Sequence, residues 1–459
     1  MKKRIETDGF GEIEVPARAY YGPQTARSLV HFNIGSEKMP SSFIRAYGLL
    51  KRACAEANCE LGFLDEEKKR LIVQAADEVI AGRLYDHFPL SIWQTGSGTQ
   101  TNMNVNEVIA NRATELAGLD LGDRSFIHPN DDVNRSQSTN DSFPTAMSIA
   151  AVKDLQFRLL PMLRKLYEAL IQKGLEFRGI VKVGRTHLMD ATPLTLEQEF
   201  SGYIEQLTQN IERIEGALPR MYELAIGGTA VGTGLNTPPG FAELVVNKIC
   251  VLTGLPFTSA KNKFAALACH DPLVFMHSAI KTLACSLMKI SSDLSWMVSG
   301  PRAGLAELKF AANEPGSSIM PGKVNPTQCE AMTMVCVHVI GNDTAIACAG
   351  SMGNFELNVF KPMLIHSFLN SVELISDVCR SFAEYFVKGL VANTKQIKAY
   401  LERSLMFVTA LNPKIGYDKA AAVAKKAYQE NISLKESCLS LGFLSEEEFD
   451  QVVDPQKMV

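Results

Sequence analysis

Apolar residues recur at alternating intervals of three and four residues between Leu273 and Met297. This spacing keeps one stripe of an α-helix apolar along its whole length. The stretch from Ile365 to Phe386 follows the same rule. Both stretches are much longer than the mean of about 11 to 12 residues for helices in globular proteins. The pattern therefore predicts long helices that pack nearly parallel in a bundle.

The remaining periodicity predicts a mainly α protein with three domains. Further helices are predicted at residues 141–174, 195–224, 42–61 and 65–81, and the few strand signals lie at residues 12–15 and 180–183. We place an N-terminal domain at residues 1–137, a central long-helix bundle at 138–392 and a small helical domain at 393–459. A length of 459 residues fits such a division, because it exceeds one ordinary core.

Composition excludes several classes of function. A net charge of −4 argues against a nucleic-acid or anionic-membrane partner, since such binding needs a dense basic surface. No uninterrupted apolar run approaches the roughly 18 residues of a membrane span, and the start MKKRIETDGFGEIEV lacks the apolar core of a signal peptide. Ten cysteines without a Cys-x-x-Cys pair indicate buried thiols rather than a disulfide scaffold or a cluster. We therefore expect a cytoplasmic protein.

The segment from Gly316 to Glu330, GSSIMPGKVNPTQCE, has the composition of an anion site. Its glycines let the backbone approach a ligand closely, and its prolines stiffen the path. A helix predicted to follow would offer unpaired N–H groups to negative charge. Lys323 and Asn325 could grip a carboxylate while Ser317 or Ser318 faces the reacting carbon. A Ser/Pro capping loop with a solvated lysine is the alternative, and it explains any four of these residues better than the whole run.

Four other polar segments accompany this loop: GSGTQTNMNVN at 96–106, HPNDDVNRSQSTND at 128–141, GRTH at 184–187 and GGTAVGTGLN at 227–236. With the loop, they resemble the active-site segments of the fumarase/aspartase superfamily, and the details of WQTGSGTQ at 93–100 are most similar to class II fumarase. The resemblance implies reversible anti addition of water to fumarate, giving L-malate through an aci-carboxylate intermediate. It also implies a three-domain fold, a homotetramer with a pooled helical core, pockets built from three subunits, and neither cofactor nor metal.

The resemblance also assigns roles to individual residues. Ser317 matches the catalytic base, and His187 is implied to pair with Glu330 and to position a water. Substrate contacts are implied for Ser97, Thr99, Ser138, Thr139, Asn140, Thr186, Ser318, Lys323 and Asn325. A second dicarboxylate site is implied at His128, Asn130 and Asp131. Taken singly, most of these residues would be turn formers or helix caps, and Asn140 is expected also to cap a helix that opens at Asp141.

The sequence allows four other interpretations to be compared with this one. The stretch Gly228 to Gly234 fits neither the dinucleotide fingerprint nor the Walker pattern, and the segment at His128 lacks a second histidine at metal-ligand spacing. Aspartate ammonia-lyase is the enzymatic alternative. A non-catalytic structural protein recruited from this superfamily is the alternative from another class, although every matched polar residue is retained.

Overall fold

The protein is built mainly from α-helices in a computed structural model that describes residues 2–459. Up to residue 195 its elements are β1 (Lys3–Asp8), β2 (Gly11–Pro16), α1 (Pro23–His31), α2 (Ser41–Glu60), α3 (Glu66–Ile80), α4 (Thr99–Leu116), α5 (Thr139–Asp154), α6 (Leu160–Glu176), β3 (Val181–Thr186) and β4 (Met189–Thr195). A π-helical turn, Leu155–Leu159, joins α5 to α6. The predicted helix at 141–174 is therefore α5, this turn and α6.

The second part of the chain contains the longest helices. Its elements are α7 (Leu196–Met221), β5 (Glu223–Leu224), α8 (Phe241–Thr253), β6 (Thr258–Ser259), α9 (Lys263–Ala268), α10 (Asp271–Met297), β7 (Leu308–Lys309), α11 (Thr327–Gly350), α12 (Lys361–Tyr385), β8 (Val391–Ala392), α13 (Thr394–Arg403), α14 (Asn412–Ile415), α15 (Tyr417–Glu430), α16 (Leu434–Ser440) and α17 (Glu446–Val452). The mainly α prediction is confirmed, and α10 and α12 coincide with the two apolar stripes of the sequence.

Strands form short two-stranded pairs. The pairs β1–β2, β3–β4 and β7–β8 are antiparallel, whereas β5–β6 is parallel. The β3–β4 register shifts between Val183 and Arg185, so the chain bulges at Gly184. A Cβ at Gly184 would lie 2.4 Å from the Thr192 carbonyl oxygen, which explains why glycine stands at the bulge.

The chain divides into two compact units whose boundaries fall inside α6, α7, α10, α11 and α12. The first unit comprises Met1–Pro161, Glu212–Thr282 and Val337–Ile375. In it, α2 packs against α3, α5 and α8, and the rings of Phe43, Tyr47 and Phe143 meet at centroid distances of 4.8 to 6.1 Å. The buried Tyr47 hydroxyl is 2.9 Å from Ser142 Oγ, so the aromatic core leaves this polar group satisfied.

The second unit comprises Met162–Ile211, Leu283–Cys336 and Ser376–Val459. Its C-terminal helices have a small apolar core of their own, formed by Phe407, Leu411, Ala420, Val423, Ala427, Leu434, Cys438 and Phe449. Serine caps with a glutamate three residues later begin both α16 and α17. The division into domains at residues 137 and 392 stays a prediction.

Two helices of the described residues, α10 and α11, are long and apolar enough by length and composition to cross a membrane. The core helix of a soluble protein meets the same criterion, so the observation is weak evidence for a membrane span. In α10 the apolar stripe is buried, with Met276, Ile280 and Leu287 at most 1% exposed. This helix therefore has the burial expected of a core helix.

Candidate functional site

The segment of Ser97 and Thr99 is a tight turn that leads into α4. Gly98 lies in the left-handed region at φ 82°, and a Cβ on it would lie 2.1 Å from the Phe143 ring. Glycine is therefore required at this position. The Ser97 and Thr99 hydroxyl oxygens are 2.8 Å apart, so the turn holds two of the predicted substrate contacts side by side.

The segment of Ser138, Thr139 and Asn140 begins α5. Ser138 is the N-cap, because its Oγ accepts the Asn140 N–H at 3.2 Å and its own N–H donates to Asp141 Oδ1 at 3.0 Å. The expectation that Asn140 caps a helix opening at Asp141 is therefore wrong. The Asn140 side chain instead donates from Nδ2 to the Ala230 carbonyl oxygen at 2.8 Å.

The carboxylate of Asp141 joins two of the segments singled out in the sequence. Its Oδ2 accepts the backbone N–H groups of Gly227 and Thr229, both at 2.9 Å. Burial raises the pKa of Asp141 to about 6, although these hydrogen bonds favour the ionised form. The GGTAVGTGLN segment is thus held against the start of α5, next to Asn140.

A side-chain amide links the starts of α4 and α5. Asn102 Nδ2 donates to Thr139 Oγ1 at 2.9 Å and to Asn134 Oδ1 at 3.2 Å. Asn102 lies on the first turn of α4, just after Thr99. Within the first unit, the structure therefore brings together the segments of Ser97 and Thr139 that the sequence separates.

The segment of the predicted second dicarboxylate site forms a π-helical turn at Pro129–Val133. His128 Nδ1 accepts the backbone N–H groups of Asn130 and Asp131, both at 3.2 Å. Because these bonds occupy Nδ1, only Nε2 of this ring is free to meet a ligand. Asn130, Asp131 and Ser138 all line one cavity of about 530 Å³. Residues of the predicted second site and of the predicted substrate segment therefore line the same cavity.

His187 lies at the tip of the β3–β4 hairpin. His187 and Leu188 form its two-residue loop, with φ of 55° and 60°. Two successive positive φ values are the mark of a type I′ turn, which usually needs Asn or Gly. The turn places Thr186 and His187 in exposed positions. Non-glycine residues in this conformation carry backbone strain, which is common at functional sites.

A buried carboxylate anchors this hairpin. Glu307 is fully buried, and both its oxygens lie 3.0 Å from Arg185 Nη1. Lys182 Nζ is 3.2 Å from Glu307 and 2.7 Å from Glu199. Glu307 therefore holds two charged residues of β3, Lys182 and Arg185, and restricts the movement of the strand end that carries Thr186.

The Ser317 hydroxyl lies in a loop that opens before α11. Its Oγ accepts backbone N–H groups from Met320 at 3.0 Å and from Ile319 at 3.3 Å. Donors aimed at this oxygen stabilise negative charge on it. The loop is closed by the Gly316 N–H, which donates to the Lys323 carbonyl oxygen at 2.9 Å. A Cβ at Gly316 would lie 2.5 Å from that oxygen, so the closure requires glycine.

Other predicted residues of this loop differ in exposure. Lys323, Ser318 and Glu330 are exposed, whereas Ser317 and Asn325 are half-buried. Asn325 Nδ2 donates to the Gly316 carbonyl oxygen at 2.7 Å, which leaves its second amide hydrogen for a ligand. The loop lines an open cavity of about 420 Å³. The α11 helix begins at Thr327, so Lys323 and Asn325 both precede it.

His187 and Glu330 are not joined in the single chain: no hydrogen bond or ion pair links them among residues 2–459. Across the same described range, no group of three or more His, Cys, Asp and Glu side chains is placed to hold a metal ion.

Sequence reasoning missed the residues that hold the predicted segments in place. Asn102, Asp141 and Glu307 touch these segments through buried hydrogen bonds and ion pairs. Both Asn102 and Asp141 lie inside the quoted motifs. Asp141 follows Ser138 by three residues, and this capping-box spacing could have identified it. No local signal marks Glu307, because its partners lie more than 100 residues away in the sequence.

Comparison with known proteins identifies the family of this chain. A family model described as Lyase matches residues 11–341, and one described as Fumarase C C-terminus matches residues 407–459. Fumarate hydratase class II from Thermosynechococcus vestitus is 62% identical over 456 residues, covering 99% of this chain and 98% of that protein. Mitochondrial fumarate hydratase from Homo sapiens is 58% identical over 458 residues, covering 99% and 90%.

Solved structures give the same result. The class II fumarase from Schistosoma mansoni superposes with a TM-score of 0.96 at 44% identity and covers 100% of this chain and 99% of that one. A fumarate lyase:delta crystallin from Brucella melitensis, solved bound to cobalt, has a TM-score of 0.95 at 38% identity, with coverage of 100% and 99%. The chain belongs to the class II fumarase family of lyases.

Proposed function

We propose that this protein is a fumarate hydratase, which adds water reversibly to fumarate and gives L-malate. The observation that carries the proposal is the Ser317 hydroxyl, whose oxygen accepts two backbone N–H groups in a chain of this family. Relatives named fumarate hydratase match the chain over nearly its full length, which supports the same reaction. The substrate is then a small dicarboxylate.

The reaction requires several converging donors. In the dehydration direction, a base removes a proton from the carbon beside one carboxylate, and hydroxide leaves the neighbouring carbon. Negative charge accumulates on that carboxylate as an aci-carboxylate dianion. Enzymes lower barriers by about 8 to 23 kcal/mol, whereas one well-placed donor contributes about 3 to 4. A constellation of hydroxyls, amides and an ammonium fits this demand.

Ser317 is the proposed base. A serine hydroxyl is a poor base at neutral pH, so it must act as an alkoxide. The N–H groups of Ile319 and Met320 point at its oxygen, and the ammonium of Lys323 lies on the same loop. The two N–H groups support an alkoxide at this position, because they favour the charged form of the oxygen, and we assign the same effect to the charge of Lys323.

The other predicted residues hold the substrate. We assign Lys323 and Asn325 to the carboxylate on which charge accumulates, and His187 with Glu330 to a water beside the substrate. The remaining contacts are assigned to Ser97, Thr99, Ser138, Thr139, Asn140, Thr186 and Ser318. His128, Asn130 and Asp131 are proposed to form a second dicarboxylate site, which the cavity shared with Ser138 supports.

A homotetramer is part of the proposal. Exposed residues recur on α11 at helical spacing, at Met334, Val337, Gly341 and Thr344. Met334 is 68% exposed and Val337 is 61% exposed, which is unusual for apolar side chains in the middle of a long apolar helix. Copies of the same helix would cover this stripe. Pockets built from three subunits would then allow His187 of one copy to meet Glu330 of another.

A cytoplasmic location is also proposed. All ten cysteines are free thiols, which suits a reducing compartment. Cell fractionation with an antibody against the protein tests this proposal.

Product analysis tests the activity. Purified protein is incubated with fumarate alone and with fumarate plus ammonium, and the products are separated by chromatography. We expect malate in both incubations. Accumulation of aspartate only with ammonium would identify an ammonia-lyase instead, and unchanged fumarate in both would identify a non-catalytic protein.

A further inference from the structure

Lys51 is a fully buried lysine whose ammonium contacts no carboxylate in the described part of the chain. It lies on α2 with 0% of its surface exposed. Its Nζ donates to Asn134 Oδ1 and Gln137 Oε1, both at 2.9 Å, and lies 5.5 Å from the Tyr47 ring centroid. A buried charge is costly unless hydrogen bonds compensate it. The two groups that accept hydrogen bonds from Lys51 therefore indicate the role of this buried ammonium.

Both acceptors belong to the loop between the second-site residues and Ser138. Each amide is oriented by its nitrogen end: Gln137 Nε2 donates to the Val133 and Arg135 carbonyl oxygens, and Asn134 Nδ2 donates to the Gln137 carbonyl oxygen. The oxygen ends must then converge on one point. Without an ammonium there, two half-buried amide oxygens would face each other and each would lose one hydrogen bond, which is unfavourable.

Asn134 connects Lys51, through Asn102, to Thr139, which is a predicted substrate contact. Its Oδ1 also accepts a hydrogen bond from Asn102 Nδ2 at 3.2 Å, and the same Nδ2 donates to Thr139 Oγ1 at 2.9 Å. The two hydrogens of this amide are thereby both used. Because Thr139 Oγ1 accepts from Asn102, its own hydrogen is free to donate to a ligand.

We propose that Lys51 is a positioning residue for substrate binding, which acts through Asn134 and Asn102 to fix the Thr139 hydroxyl as a donor to a substrate carboxylate. This inference rests on the proposed function. Lys51 itself does not touch the substrate, since its ammonium is enclosed by Asn134, Gln137 and Tyr47. The arrangement ties helices α2, α4 and α5 to one buried point.

Steady-state kinetics of Lys51→Met test the inference. Methionine has a similar length but cannot donate a hydrogen bond. A contact made equally in the ground and transition states affects KM rather than kcat. We expect KM for fumarate to rise about tenfold or more, as for loss of a hydrogen bond to a charged group, with kcat changed less than about twofold. The control is Lys173→Met, another buried lysine, paired with Glu176 on α6, for which we expect unaltered kinetics.

A double-mutant cycle with Thr139→Val separates positioning from general loosening of the fold. If Lys51 acts through the Thr139 hydroxyl, adding Lys51→Met to Thr139→Val raises KM by less than about twofold. Multiplicative effects in the double variant would overturn the inference, as would an unchanged KM in Lys51→Met. If Lys51→Met does not fold, Asn102→Leu interrupts the same path, and the same loss of additivity with Thr139→Val is expected. Absence of turnover in the unaltered protein would instead overturn the proposed function.

Discussion

The Asn102 side chain donates a hydrogen bond to the Thr139 hydroxyl over 2.9 Å, although 37 positions separate the two residues in the sequence. Helix α4 begins two residues after Ser97, and α5 begins directly after Ser138. This bond therefore fixes the relative position of two helix N-termini, where unpaired N–H groups favour anions. The first unit thus offers a rigid, donor-rich surface suited to a carboxylate.

Removing the Ser317 hydroxyl should nearly abolish turnover. Loss of a general base costs about a hundredfold to ten-thousandfold in rate, so kcat of Ser317→Ala should fall within this range while assembly is unchanged. Fumarate turnover and light scattering measure the two properties. Ser440→Ala on α16, where the hydroxyl donates to the Ser437 carbonyl oxygen, is the matched control. Full activity in Ser317→Ala would exclude serine as the base.

Removing the Lys323 ammonium should damage substrate binding and rate together. Its positive charge would meet both the bound dianion and the more highly charged transition state, so kcat should fall and KM should rise in Lys323→Ala. Steady-state kinetics measure both constants, and Lys309→Ala, on β7, controls for loss of an exposed lysine. A loss confined to kcat would give Lys323 a different role.

Asp141→Asn should weaken substrate binding without changing the charge of any proposed contact. Asp141 accepts N–H groups at both oxygens, whereas asparagine offers only one acceptor. Either the cap at Ser138 or the tie to Gly227 and Thr229 is lost, which should destabilise the protein by about 1 to 3 kcal/mol. Urea unfolding and KM measure the two effects. If the variant had the same free energy of unfolding and the same KM as the parent, the carboxylate would not be what holds this segment in place.

Lys361→Met should stabilise the protein, and more so at low pH. Lys361 is fully buried, its Nζ has no hydrogen-bond partner within residues 2–459, and burial lowers its pKa to about 7. Between this value and the unfolded pKa of about 10.4, the unfolded chain binds more protons, so the parent gains stability as pH rises. The advantage of the variant should therefore be greatest at pH 7 and below and should shrink towards pH 10. Thermal unfolding across this range measures it; a variant less stable than the parent at neutral pH would contradict the prediction.

A charge on the exposed stripe of α11 should break the assembly. Val337→Glu places a carboxylate where the proposed tetramer buries apolar surface, and desolvating it is strongly unfavourable. Sedimentation should show a smaller species with little activity. Val251→Glu, at an 85% exposed position on α8, should remain assembled. A fully assembled Val337→Glu variant would remove α11 from the interface.

Much of the helical architecture could be predicted, because a helix that buries one face carries apolar residues at intervals of three and four positions. The predicted helices at 42–61 and 65–81 correspond to α2 and α3 within one residue at each end. The strand at 12–15 lies within β2, and that at 180–183 overlaps β3. Their partners β1 and β4 were not predicted, since a strand paired on an exposed hairpin carries little apolar alternation.

The internal organisation of the site could not be predicted for a different reason. The turn at His187 and Leu188 contains neither Asn nor Gly, so its left-handed backbone has no local sequence signal. The hydrogen bonds from Asn102 Nδ2 to Thr139 and from the Gly227 N–H to Asp141 depend on which segments pack together. Such contacts arise from tertiary structure, and spacing along the chain does not encode them.

We conclude that this chain catalyses the hydration of fumarate with its own side chains. The most direct measurement is the ultraviolet absorbance of fumarate, followed after adding purified protein in buffer that contains no amine. We predict a decline in absorbance to an equilibrium plateau, reached also from the opposite side when L-malate is the starting compound. Constant absorbance from both starting compounds, with folded and assembled protein, would contradict the claim.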